Sequence, residues 1–178
     1  MGLYEIARIV HFLGLIALFG FFVIHARAGP RLRRATTLHE SRTWLGMLEA
    51  ARPMFHGGAG MLLLSGIVMV GLRWRGSPPF VPIGIVTLMV GWIIAGFVSG
   101  RHLRAIRAAL PDGEGPLPVE ASRLIQARGA WAAMMSTNGA AIAVLFIMTM
   151  KPGWLASVGP VAALSALGGI VGGRGVVR

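Results

Sequence analysis

The chain has no cysteine and only six acidic residues among 178. Without cysteine there is no disulfide, no thiolate nucleophile and no thiolate metal site, and nothing about redox compartment can be read from thiol usage. The six acids are Glu5, Glu40, Glu49, Asp112, Glu114 and Glu120. Glu5 sits at the edge of an apolar run and the other five fall between such runs, so no carboxylate is predicted inside a membrane and a proton or cation relay built on Asp/Glu is not expected. There are no paired carboxylates and no Ser/His/Asp set, so hydrolytic catalysis has no support. Charged residues as a whole make up 13% of the chain, about half the globular average. A soluble domain of this length needs a larger charged surface, and the 55% hydrophobic content excludes a disordered chain.

What is present in abundance is apolar sequence. Five stretches, 3–25, 56–72, 81–100, 130–150 and 154–171, each come near the roughly 20 residues that a helix needs to cross ~30 Å of hydrocarbon. They predict an all-α membrane protein forming a single transmembrane domain over 1–178, a four-helix bundle plus a fifth, carboxy-terminal helix. The net charge of +11 comes mainly from arginines that cluster between the stretches. Segment 26–55 carries six (Arg27, Arg31, Arg33, Arg34, Arg42, Arg52) and segment 101–129 carries five (Arg101, Arg104, Arg107, Arg123, Arg128). The other side has Arg8, Arg73, Arg75 and Lys151. The positive-inside rule therefore predicts two cytoplasmic loops, 26–55 and 101–129, and an external amino terminus. If the fifth stretch spans, the tail with Arg174 and Arg178 is internal. Arginines facing the anionic headgroups of the lipid bilayer explain the basic pI, and no nucleic-acid partner is expected, because no basic stripe interleaves with aromatics. Ala26-Arg27-Ala28 resembles a signal-peptidase site, but no basic region precedes the apolar run, so cleavage is not expected.

Local punctuation refines this picture. Tyr4 suits an interfacial anchor. Arg8 and His11 are three apart and share a helix face, and His11 and His25 lie on nearly one stripe at different depths. Gly29-Pro30 is expected to end the first helix. The stretch 31–54, with Leu38, Trp44, Leu45 and Leu48 near helical spacing, predicts a short amphipathic helix on the inner membrane surface, broken at Arg52-Pro53. Residues 102–110 are expected to prolong the third helix, and Pro111–Pro118 to be irregular. Segments 73–79 and 151–154 are the outer turns. Gly96/Gly100 and the row Gly91, Ala95, Ser99 are small-residue faces for close helix contact. The fifth stretch, broken by Pro160, is a tilted span or a half-buried helix. Its Gly168/Gly172 and Gly169/Gly173 pairs suit docking to a second copy or to a larger membrane complex.

The candidate site residues are histidines and methionines. His11 lies about 12 Å below the outer edge at a 1.5 Å rise per residue, and an ionisable residue within a membrane is a functional candidate. Met89 is expected at similar depth, with Met69, Met148 and Met150 nearer the outer edge. Imidazole with thioether suits haem iron or Cu(I). The same residues also fit packing roles, since methionine fills gaps in helix bundles. His25, His56 and His102 are expected together at the cytoplasmic ends of the first three helices, a possible second haem or metal site; histidine also simply suits helix ends. His11 and His56 are near opposite faces and are not expected to ligate one iron. His56–Gly60 lacks the Gly-Lys-Ser/Thr ending of a phosphate loop, so close packing is the expected use of its glycines. Ser136, Thr137 and Asn138 suit a polar pocket or hydrogen bonds between helices.

The order of features resembles the copper-resistance D-like superfamily of small bacterial membrane proteins, in a branch of unknown function. The resembling pieces are His11-Phe12-Leu13-Gly14 with Leu18-Phe19-Gly20, Ser65-Gly66, Gly100-Arg101-His102-Leu103, and Met148-Thr149-Met150-Lys151-Pro152. They cover roughly 3–153. The resemblance implies the bacterial inner membrane and, through the better-known relatives, either copper handling or a b-type haem. HemJ-type haem-binding membrane proteins hold haem through a histidine in the first helix, and only His11 sits at that place. Where those proteins carry a Leu-Pro-Arg-Leu run, this chain reads Phe21-Phe22-Val23-Ile24, so the resemblance does not carry their oxidase reaction. A cofactor-binding or accessory redox protein with haem near His11 is the first expectation, a cofactor-free structural subunit or assembly factor the second, and copper transport the third.

Overall fold

The computed structural model describes residues 2–73 and 78–174. The expected outer turn at 73–79 therefore lies in large part outside the described residues, as does Arg178. Seven α-helices follow in order: α1 Leu3–Arg34, α2 Leu38–Arg73, α3 Phe80–Ile94, α4 Gly100–Ala108, α5 Val119–Ile125, α6 Arg128–Met150 and α7 Trp154–Gly173. A π-helical turn, Ala95–Ser99, joins α3 to α4 without a break. Read as continuous units, five helices are long and apolar enough to cross a membrane. Their outward faces are strongly apolar. Ile16, Leu64, Val86, Phe97 and Leu155 are all well exposed. An apolar exterior of this extent is stable against hydrocarbon and aggregates in water. The chain thus has the architecture of a multi-pass helical membrane protein.

Two expectations about breaks are corrected. Pro30 does not end α1, and Pro53 does not separate α2 from a surface helix. Both prolines lie inside helices of 32 and 36 residues. Each proline removes one hydrogen bond, but packing on both sides outweighs that loss. Ala28, Gly29 and Leu32 are buried around Pro30, and Ala51 and Phe55 around Pro53. The predicted amphipathic stretch is therefore the first half of α2. Leu38, Leu45 and Leu48 face inward, joining Leu32, Leu103, Ile106, Ile125 and Trp131 in a core at the arginine-rich end. At about 1.5 Å per residue α1 and α2 reach roughly 48 and 54 Å, so both extend well past a hydrocarbon layer. The extension of the third span through Ala108 follows the expectation, while α5 was not foreseen. The helix ends at Ala108, two residues short of the expected 110, and the 111–118 segment is irregular as expected. It is pinned to the α1–α2 corner by Leu38 N–H to the Gly115 carbonyl and Leu117 N–H to the Thr36 carbonyl, both 3.0 Å. Arg42 adds hydrogen bonds to the carbonyls of Gly113, at 2.7 Å, and Pro111.

Close backbone approach at glycine builds two helix pairs. In α1/α2, a Cβ on Gly14 would sit 2.8 Å from the Gly58 carbonyl oxygen, and a Cβ on Gly58 would sit 2.8 Å from that of Gly14. In α6/α7, a Cβ on Gly139, Gly168 or Gly172 would collide with the carbonyl of Leu164, Met135 or Trp131 respectively. The docking face assigned to Gly168 and Gly172 is thus covered from within the chain by α6. Arg33 closes the end of this pair. It is buried, lies over the Trp131 ring at 5.6 Å, and donates to the Gly172 and Arg174 carbonyls at 3.2 and 2.8 Å. A cation there satisfies the carbonyls that α7 leaves open and matches its dipole.

Replacing Gly168 or Gly172 with Leu should force α7 off α6 and cost on the order of 1–3 kcal/mol or more. Gly159→Leu, where a Cβ meets nothing within 4 Å, should be nearly neutral. Thermal unfolding of the detergent-solubilised protein separates the two. Equal melting temperatures would refute this account of the α6–α7 seam.

Candidate functional site

The two pairs do not meet evenly. α3 leans on α6, while α2 touches α3 only over a short stretch. The gap between them, at the end holding the amino terminus, is a cleft of about 380 Å³ walled by α1, α2, α3 and α6. That volume lies within the roughly 300–1,000 Å³ range of small-molecule and cofactor sites. Its walls are mainly apolar, its rim carries Tyr4, Arg8, Thr149 and Lys151, and no Asp or Glu lines it. Arg73 lies over the Tyr4 ring at 5.1 Å beside this rim. Arg8, Arg73 and Lys151 thus gather cationic groups at this end.

His11 is part of the cleft wall, on the same face as Arg8, as their spacing predicts. Its Nδ1 is 3.0 Å from Ser65 Oγ. The Ser65 hydroxyl donates back to the Met61 carbonyl one turn earlier on α2. A hydroxyl has one hydrogen, so Ser65 accepts from His11 Nδ1–H and the imidazole keeps its lone pair on Nε2. This is the arrangement usual for a metal-ligating histidine, whose second nitrogen donates to a fixed acceptor. A small residue on α2 admits the ring: a Cβ on Gly66 would lie 3.6 Å from His11 Cε1.

The methionines divide. Met69 and Met148 line the cleft with His11. Met89 is 50% exposed and Met150 is 64% exposed, and neither lines it. Both point outward because their helices turn a different face to the bundle. The expected His11/Met89 partnership is therefore not formed.

Among α1, α2, the π-helical turn, α4 and α6 lies a chamber of about 30 Å³, lined by residues that include His25, Arg52, His56, Ser99, Thr137 and Asn138. His25 is 4% exposed and stacks on Phe21 at a centroid distance of 5.3 Å. Its Nδ1 accepts from the Asn138 amide at 3.1 Å. His56 Nδ1 accepts from the Trp92 indole N–H at 2.6 Å. Since indole and amide nitrogens only donate, both imidazoles are neutral with hydrogen on Nε2. His25 and His56 thus come to one chamber, as expected. His102 does not line it; its Nε2 is buried without a hydrogen-bond partner. The second-haem reading is corrected on size, since the space holds a water-sized body. The three-histidine metal reading fails on geometry, since among the described residues no group of three His, Asp or Glu side chains is close enough to hold an ion. Asn138 and Thr137 line the polar pocket that their residue types suggested.

Sequence reasoning gives no site role to Ser65, Trp92 or Arg52, and it puts Arg8 and Lys151 on one side without bringing them to one rim. Ser65 and Arg8 carry a usable signal, being polar residues at the margins of apolar runs. The other groupings join helices distant in sequence. Comparisons of the chain with protein-family profiles, with curated proteins and with solved structures find no match.

Asn138→Ala should leave buried His25 without its donor and cost about 1–3 kcal/mol. In a His25→Phe background the same change should cost much less. Unfolding free energies of the four proteins give the coupling, and additive effects would refute the His25–Asn138 bond.

Proposed function

We propose that this chain is a small inner-membrane protein that holds a b-type haem in the cleft and serves as a haem-binding or accessory redox protein. The observation that carries this reading is the His11–Ser65–Met61 relay, which leaves a histidine Nε2 lone pair on the wall of a cofactor-sized, water-poor cleft. The remaining chemistry of the lining fits the group. Apolar walls suit a porphyrin face, Arg8 and Lys151 at the rim suit the two carboxylates, and Met69 or Met148 would offer a soft thioether sulfur from the same lining. Haem, when bound, supplies one-electron transfer. The chain's own residues would hold it, orient it through the Ser65-anchored imidazole, neutralise its acidic edge and exclude water. In this reading the arginine-rich ends face the cytoplasm and the amino terminus lies outside, as charge asymmetry favours.

A copper reading stands second, because Met69 and Met148 share the cleft with His11 and imidazole with thioether suits Cu(I). The reading as a cofactor-free structural subunit loses its main support, since Gly168 and Gly172 are engaged by α6.

A reduced-minus-oxidised absorbance spectrum of the purified protein, expressed with ample haem, should show Soret and α bands. His11→Ala should abolish them, and Ser65→Ala should lower haem affinity by 10–100-fold, the usual cost of losing a supporting hydrogen bond. A flat spectrum from folded protein rejects haem. Stoichiometric copper that is lost on changing Met69 and Met148 to Leu would then favour the second reading.

A further inference from the structure

The chamber beside Arg52 brings an arginine and several hydrogen-bond donors together without a carboxylate. Arg52 and His56 are four apart on α2 and share a face. Arg52 has no hydrogen bond or ion pair among the described residues, and its guanidinium packs against Gly100, where a Cβ would sit 2.8 Å from Nη2. The hydrogen bonds from Asn138 and Trp92 fix His25 and His56 as Nε2–H donors, and neither Nε2 has a protein acceptor among the described residues. Ser99 Oγ, at the end of the π-helical turn, likewise has no protein partner there. The nearest acid in sequence, Glu49, is committed to Arg107. One cation and three neutral donors therefore line a space with room for one oxygen-sized atom, and no carboxylate lines it.

We infer that this chamber is a phosphate-recognition site, into which one anionic oxygen of a phosphate group inserts. Arg52 is half-buried and no acid lines the chamber beside it, and a cation so placed favours an accompanying anion. Basic pockets between membrane helices meet that need with lipid headgroups. The place is right for such a group. Arg52 precedes the apolar part of α2 by one turn, and beside the chamber the His56–Trp92 bond is exposed, so a headgroup can reach it from the side of the bundle. The π-helical turn contributes by widening the helix at Ala95 and Ser99, both of which line the chamber. The inference is independent of what fills the cleft, and a spectrum without haem leaves it standing.

The test uses the full chain, stripped of lipid in detergent and titrated with short-chain phosphatidylglycerol or with inorganic phosphate alone. Native mass spectrometry and the melting temperature are read together. The expected result is saturable binding of one phosphate-bearing molecule per chain with a rise in melting temperature. Arg52→Gln should weaken binding at least tenfold, and Arg104→Gln, an exposed arginine on α4, should leave it unchanged. Saturation by phosphatidylglycerol only assigns the site to a lipid headgroup, and saturation by inorganic phosphate with the same Arg52 dependence assigns it to the free anion. If Arg52→Gln does not fold, His56→Phe with Ser99→Ala removes two donors without a charge change and should weaken binding several-fold. Non-saturable binding, or equal losses in the Arg52 and Arg104 variants, overturns the inference.

Discussion

Glycine contacts between helix backbones set the shape of this protein. Two apolar helices in hydrocarbon gain nothing from hiding leucine, so the pairs that form tightly are those whose backbones can touch. Gly14 against Gly58 joins α1 to α2, and Gly139, Gly168 and Gly172 join α7 to α6. α3 has no comparable seam with α2. It rests on α6, where Gly91 takes the Thr137 methyl at 3.3 Å and Gly84 takes the end of Met148. Tight pairing within two hairpins and loose contact between them opens the cleft at one end. At the other end the bundle is closed by leucine, isoleucine and Trp131 contributed by helix extensions beyond the apolar spans.

The two polar sites differ in how they are supported, and the difference is chemical. His11 is held by a serine whose hydroxyl is already engaged, so the imidazole presents an acceptor to the cleft. His25 and His56 are held by an amide and an indole that donate, so their free nitrogens are donors. One end of the molecule therefore offers a lone pair beside a cationic rim, suited to a metal centre with acidic substituents. The other offers hydrogen-bond donors beside an arginine, suited to an anionic oxygen. The same residue type is set to opposite roles by one hydrogen bond each.

Much of this was legible from residue order. The five apolar helices, the prolongation of the third span, the irregular 111–118 segment, the shared face of Arg8 and His11, and the meeting of His25 with His56 all follow from run length and helical periodicity. The errors have a common cause. Local propensity marks Pro30 and Pro53 as breaks and the start of α2 as a surface helix, and the packing that overrides it is not visible at that level. Met89 and Met150 were placed by depth along a helix axis, which says nothing of the direction in which a side chain points. Gly168 and Gly172 were recognised as contact residues, but their partner turned out to be α6 of the same chain.

Composition and order by themselves determined that this is an all-helical chain suited to crossing a membrane five times, because helix length and hydrocarbon thickness are fixed quantities and arginine distribution is a property of the string. They determined as well that the chain has no thiol and that its six acids lie at the edge of the apolar runs or between them. Only the tertiary structure decided which face of each helix looks inward, and hence that His11 shares a cleft with Met69 and Met148 and not with Met89. It alone decided which nitrogen of each histidine is free, since that depends on whether the neighbour across the helix seam is a hydroxyl already bonded, an amide or an indole. Such neighbours lie 36 to 113 residues away in sequence, a separation over which periodicity carries no information.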